Sequence, residues 1–227
     1  MIDIGQLDIL SILIFFPLVG ALVLAFIPGH RIKEIRYTAL LVSVGALVIS
    51  LVLALAFDNG QSGFQFVQET SWIGFFGIEY KVGVDGISLA MVVLTTLLTM
   101  ISILASFGPI KTRVKEYMIA FLVLEVGILG VFLALDLFLF YIFWEIVLVP
   151  MYMIIGIWGG ANRIYATMKF VIYTLVGSLL MLVAILALAW SYLQETGTWV
   201  GAFDYQQLLA FDIDPTGFVV LDVGAST

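Results

Sequence analysis

The sequence predicts an all-α membrane protein: a polytopic helical bundle with six transmembrane helices and a small β-hairpin in one loop. Three observations carry this. Hydrophobic residues make up 63% of the 227 and charged residues only 11%, against roughly 25% charged in soluble domains. The charges are segregated: 9–30, 37–57, 86–110 and 170–194 hold no Asp, Glu, Lys or Arg, 117–135 holds only Glu125, and 137–162 holds only Glu145. The loops between these stretches alternate between basic and acidic. A helix needs about 20 apolar residues to cross the hydrocarbon core, and six stretches meet that length. The composition excludes a soluble enzyme and a disordered chain. A net charge of −7 is wrong for a nucleic-acid binder. Long apolar runs exclude an outer-membrane barrel, whose strands alternate over roughly ten residues.

The spans read as Ile9–Ile27, Tyr37–Phe57, Gly86–Phe107, Tyr117–Leu135, Leu137–Trp158 and Ile164–Leu193. The last is long enough to include an extramembrane turn or a tilt. The first reads as a permanent helix, because its leader carries Asp3 and Asp8 but no base and no small-residue cleavage signal follows it. Loop 28–36 carries Arg31, Lys33 and Arg36 against Glu34, and loop 108–116 carries Lys111, Arg113 and Lys115. Arg163, with Lys169 nearby, marks the loop before the last span. Between these basic loops lie acidic ones: 58–85 has Asp58, Glu69, Glu79 and Asp85 against Lys81, the next has Asp136, and the tail 194–227 has five acids and no base. By the positive-inside rule the basic loops face the cytoplasm. The N-terminus and residue 227 then face the outer, periplasmic side.

Within the long acidic loop, Ile78, Tyr80, Val82 and Val84 alternate with Glu79, Lys81 and Gly83, which is strand period. Phe64, Phe66 and Trp72 precede a turn over Gly74–Gly77, so a β-hairpin at about 62–84 is expected. It caps helix ends or grips a neighbouring subunit. In the tail, Phe203, Tyr205, Leu208, Leu209 and Phe211 suit a short interfacial helix before Pro215.

Few residues are equipped for chemistry. There is no Cys, so there is no disulfide, Fe–S cluster or thiolate metal site. The one His, His30, sits in a polar loop beside Arg31. No cofactor and no metal is expected in this chain. Glu145 is the leading candidate: an acid mid-span, with eight uncharged residues before it and seventeen after. Inserting it costs at least ~2.5–3.5 kcal/mol. Tyr141 and Tyr152, at i−4 and i+7, share its helical face. Pro150 cannot donate to the Ile146 carbonyl and crowds it. A loosened turn beside a buried carboxyl suits proton handling; the alternative is a protonated Glu serving as interhelical glue. Lys169, flanked by Tyr165 and Tyr173 at i−4 and i+4, either lies on a proton path or snorkels to the interface. Asp136 reads as a boundary residue or helix cap. Glu125 is also intramembrane but has neither the proline nor the tyrosine pair. Gly127 and Gly130, Gly156 and Gly160, and Thr174, Gly177 and Ser178 suit close helix approach.

These residues carry a resemblance. The run from Phe132 to Gly160, with Asp136, Trp144, Glu145, Pro150, Tyr152 and Trp158, resembles the fifth-helix signature of the subunit M family of respiratory complex I, the mitochondrial subunit 4 type. Thr167–Ser178, with Lys169, Tyr173 and Gly177, resembles that family's next helix, and Val84–Leu89 resembles the start of its third. The resemblance implies an antiporter-like subunit of fourteen helices built around two inverted repeats of five. Residues 1–116 then form an N-terminal three-helix region with the hairpin. Residues 117–227 form the first part of the proton-translocating repeat plus an outer tail, ending before helix 7. It maps the family's fifth-helix glutamate to Glu145 and its sixth-helix lysine to Lys169; the glutamate's partner is a lysine on the seventh helix. The chain alone is then expected to be inactive.

The implied function is a non-redox membrane subunit of a proton-pumping NADH:quinone oxidoreductase in the bacterial inner membrane. Its expected partners are the other membrane subunits, especially the L-type and N-type antiporter-like ones. NADH, FMN, Fe–S clusters and quinone belong to other subunits. The alternatives are a subunit of a multisubunit cation/proton antiporter or membrane-bound hydrogenase, and a noncatalytic membrane scaffold.

Overall fold

A computed structural model describes residues 8–61 and 63–211. Six helices are long and apolar enough to cross a membrane: α1 (Ile9–Phe26), α2 (Ile32–Ala56), α3 (Gly86–Ala105), α4 (Val114–Leu133), α5 (Leu137–Trp158) and α6 (Arg163–Thr196). The protein is a multi-pass membrane protein. Asp3, Pro215 and residue 227, which bear on the expected leader and tail, lie outside the described residues. Two starts differ from the expected spans by more than one residue. α2 begins at Ile32 and α4 at Val114, because charged residues join their first turns beyond the apolar stretch. The last span, expected to include an extramembrane turn or a tilt, is one unbroken helix: α6 has 34 residues, about 51 Å at ~1.5 Å per residue. That exceeds a ~30 Å hydrocarbon core, so the helix tilts or protrudes.

At one end of the bundle the chain forms the hairpin. β1 (Gln65–Ile73) pairs antiparallel with β2 (Ile78–Val84), with Gln68 opposite Val82 and Thr70 opposite Tyr80. The turn is a 3-10 step over Gly74–Phe76 closed by Gly77 at φ 64°. A side chain at Gly77 would also collide with the Trp199 carbonyl. A short helix, α7 (Tyr205–Ala210), follows α6 where the tail pattern places it.

The α4–α5 turn is held from both sides at this end. Leu135 donates its N–H to the Lys81 carbonyl, Tyr205 donates to Leu135, and Leu137 donates to Phe203, all at 2.8–2.9 Å. The hairpin, residues 134–136 and residues 203–205 thus form one small hydrogen-bonded layer. Asp136 is the N-cap of α5, accepting from Phe138 and Leu139, and it also accepts from the Glu79 N–H. Asp85 caps α3 reciprocally with Ser88. Lys81, buried beneath the layer, pairs with Asp204 at 2.6 Å and Glu69 at 3.1 Å.

At the opposite, basic end, cations close helix C-termini, where carbonyls lack intrahelical donors. Lys115 donates to the Ala25 and Ile27 carbonyls at the end of α1, and Arg163 donates to Ile157 at the end of α5. Arg36 donates to the Ile110 carbonyl just past α3 and stacks on Phe107.

α4 is the central helix, packed on α1, α2, α3 and α5. Its glycines set the distance to α5. A Cβ on Gly127 would press on Val147, and one on Gly130 would enter the Phe143 ring. The glycines of the other expected clusters make no such close approach among the described residues. Gly156 has only ordinary contact with Thr167, and a Cβ at Gly160 or Gly177 would meet open space.

Three outcomes follow. Gly130→Ala should destabilise the fold by about 1–3 kcal/mol through overpacking, read as a lowered thermal midpoint in detergent. Lys81→Met should cost about 3–5 kcal/mol, because it strands buried Asp204 without its cation, and adding Asp204→Asn should recover much of the loss. The third concerns pH. Burial lifts Asp136 above the ordinary aspartate value despite three backbone donors. Burial, then the Glu69 carboxylate, lifts Glu79. Both hold protons more tightly when folded, so stability at this end should rise as pH falls toward the ordinary carboxylate values near ~4 and be lost as pH rises above them. Burial opposes the Lys81 charge, but its hydrogen bonds to Asp204 and Glu69 prevail and raise its pKa, so its contribution stays intact in that range. Hydrogen exchange of the hairpin amides should follow this trend, with Asp136→Asn flattening it.

Candidate functional site

α5 is continuous through Pro150. The proline removes the bond to Ile146 without ending the helix. Its ring is buried, and Glu145, five residues earlier, is half-buried. The Glu145 Oε1 atom is buried with no hydrogen-bond partner among the described residues. Tyr141, one turn away, faces both Glu145 and Ser178 of α6. The Ser178 hydroxyl is itself tied to the Leu175 carbonyl. The structure therefore brings Tyr141 and Glu145 together on the α5–α6 seam and adds Ser178, which sequence reasoning counted only as a small packing residue. Its signal was its polarity amid the apolar run of α6.

Tyr152 sits elsewhere. It lines a cavity of about 190 Å³ between α5 and α6, with Gly156, Thr167 and Met168, toward the basic end. Pro150 lies between this cavity and Glu145. A larger cavity of about 510 Å³ between α1, the hairpin and α5 reaches Phe143 and Ile146, but Glu145 does not line it.

Lys169 is not brought to Glu145. No ion pair joins them among the described residues. Counted from their shared loop, Glu145 is deeper by about seven residues, roughly 10 Å at ~1.5 Å per residue. Lys169 is exposed on α6, its Nζ 5.8 Å from the centre of the Tyr165 ring. Tyr173 is 83% exposed on the same helix. The expected stripe of Tyr165, Lys169 and Tyr173 thus lies on a face of α6 uncovered by the described residues.

Asp136 is engaged as a cap. Glu125 is the residue whose setting the sequence least revealed: it is fully buried in α4, and neither carboxyl oxygen has a hydrogen-bond partner among the described residues. No group of three or more His, Cys, Asp or Glu side chains suited to a metal occurs among them.

What this arrangement can do is hold a proton inside the membrane. An unpartnered carboxyl atom mid-span, beside a phenol and a weakened helical turn, can change protonation when a cation approaches or leaves.

A family model described as "NADH-ubiquinone oxidoreductase chain 4, amino terminus" matches residues 11–136. One described as "NADH:quinone oxidoreductase/Mrp antiporter, TM" matches residues 134–200. NADH-quinone oxidoreductase subunit M of Rhodobacter capsulatus is 48% identical over 210 residues, 90% of this chain and 39% of that protein. NADH-ubiquinone oxidoreductase chain 4 of Arabidopsis thaliana is 46% identical over 190 residues, 83% of this chain and 38% of that one. The chain spans about two fifths of the length of these curated relatives. Its fold matches a chain of respiratory complex I from Thermus thermophilus, with a TM-score of 0.73 at 24% identity, over 92% of this chain and 40% of that one. It also matches a chain of the Mrp complex from Dietzia sp., with a TM-score of 0.71 at 17% identity, over 92% of this chain and 21% of that one. With six membrane-length helices, this fold and a family match over more than half its residues, the chain belongs to the NADH-ubiquinone oxidoreductase chain 4 family, which includes bacterial subunit M.

Proposed function

We propose that the chain carries part of a proton path in a proton-pumping NADH:quinone oxidoreductase, with Glu145 as the proton-transfer carboxylate. The observation that supports this most is the buried, unpartnered Oε1 of Glu145 beside Tyr141 on the α5–α6 seam. The chain is a non-redox subunit. NADH, FMN, Fe–S clusters and quinone act in other subunits, and the neighbours are the other membrane subunits, the L-type and N-type among them. α4–α6 supply the first part of the translocating repeat. The basic end faces the cytoplasm and the hairpin end the periplasm, since Arg36, Lys115 and Arg163 all gather at one end.

Glu145 has no cation beside it among the described residues, so the switching charge comes from a group outside them. A lysine brought to ~4 Å favours the ionised carboxylate by ~4 kcal/mol at an effective permittivity near 20. Moving one charge through ~100 mV costs ~2.3 kcal/mol. The approach and withdrawal of one cation is therefore of the right size to load and release a proton. Lys169, exposed on α6 and offset toward the basic end, fits a later step of the path and not the switch itself.

A cation/proton antiporter role is the second reading, favoured by the shared fold with the Mrp complex and by the Mrp-inclusive description of residues 134–200.

Glu145→Gln should leave the assembled complex intact but abolish proton uptake into proteoliposomes during NADH oxidation. Full pumping by an assembled Gln variant would defeat the proposal. Transport that requires sodium and runs without NADH would favour the antiporter reading.

A further inference from the structure

The apolar core of the first four helices is divided. Toward the hairpin end, one cluster joins Leu13 and Ile14 of α1, Leu53 of α2, Val92 of α3 and Leu129 of α4. Toward the basic end, a separate cluster joins Leu24, Ala39, Ile103 and Leu122 of the same four helices. In each helix the buried stripe is apolar at both ends and changes character between the clusters. α1 has Pro17 there, α2 has Ser43 and Ser50, α3 has Thr96 and Thr99, and α4 has Glu125.

Spacing gives the direction of Glu125. Met118, Leu122, Glu125, Leu129 and Leu133 recur at three or four residues, so the Glu125 carboxyl shares the face that packs on α1, α2 and α3. The glycines that meet α5, Gly127 and Gly130, lie on another face. Glu125 therefore belongs to a different compartment from Glu145.

The layer offers polar atoms. Ser43 donates to the Leu40 carbonyl, and Ser50 and Thr96 share a 2.8 Å hydrogen bond. Pro17 cannot donate to the Leu13 carbonyl, which loses its intrahelical partner. Among the described residues other charges stay at a distance. α1 and α3 contain no Asp, Glu, Lys, Arg or His. On α2 the nearest ionisable side chains are Arg36, bonded to Ile110 about two turns below the layer, and Tyr37 beside it. On α4 it is Tyr117, two turns below Glu125. Tyr141 and Glu145 of α5 meet at the α6 seam. A fully buried carboxyl with no partner in protein is among the costlier arrangements, and internal water with several polar neighbours is the common remedy.

We propose that Glu125 is a proton-binding carboxyl, hydrated by internal water, at the centre of this polar layer and separate from the Glu145 site. Its ligands are a proton and water. The carboxylic acid O–H donates to that water, and the water donates in turn to the Leu13 carbonyl and the layer's hydroxyl oxygens. The inference rests on the divided core and stands whether or not Glu145 pumps.

Infrared difference spectroscopy tests it on membranes containing the chain with its accompanying subunits. Wild type should show a carboxylic-acid C=O band that is lost in Glu125→Gln, kept in Glu145→Gln, and shifted within minutes of transfer to D2O. Should the Gln variant fail to accumulate, Glu125→Asp carries the same test, because the band should then shift in frequency and still respond to D2O. Absence of any Glu125-dependent band overturns proton binding. A band that ignores D2O overturns hydration and leaves Glu125 a dry structural acid.

Discussion

Hydrocarbon offers no hydrogen bonds, so every polar group inside the spans must find its partner in the protein. This constraint shapes the whole molecule. It makes the spans helical, since a helix satisfies its own backbone, and it leaves the helix ends as the places that need help. The basic end meets the need with Lys115, Arg36 and Arg163 on exposed carbonyls. The hairpin end meets it with caps from Asp85, Asp136 and Asp204 on N–H groups. Each end of the bundle carries helix termini of both polarities, so the loop charges decide which of them side chains close: carbonyls at the basic end and N–H groups at the hairpin end.

The same constraint gives the exceptions their meaning. Glu145 and Glu125 are the acids inside the spans with unpartnered oxygens among the described residues, and they occupy different compartments. Glu145 lies where packed α5 meets the largely uncovered α6. Glu125 lies in the most enclosed part of the bundle. A carboxyl at an uncovered seam is open to a switching cation; one sealed among four helices has only what that layer provides.

The hairpin is more than a loop ornament. By hydrogen-bonding to the α4–α5 turn and sharing Lys81 with the segment after α6, it fixes how α5 enters the bundle. The Lys81–Asp204 pair links residues 123 apart in sequence. Nothing local announces it, although Lys81 is the only base in its acidic loop.

Composition and spacing determined the six spans, the strand alternation of 78–84, the Gly74–Gly77 turn and the acid in the fifth span, because each depends on residues near in sequence and on transfer into lipid. The Asp136 cap was legible for the same reason. Tertiary structure alone decided which polar groups meet. Ser178 comes from another helix to face Tyr141, Lys169 stays about two turns from the depth of Glu145, and Pro17 of α1 shares the layer that holds Glu125. Helix periodicity tells which side a residue faces on its own helix. The partner it finds there depends on rotation and depth between helices, which the close approach at Gly127 and Gly130 and the clamp on the α4–α5 turn establish only once the chain is folded.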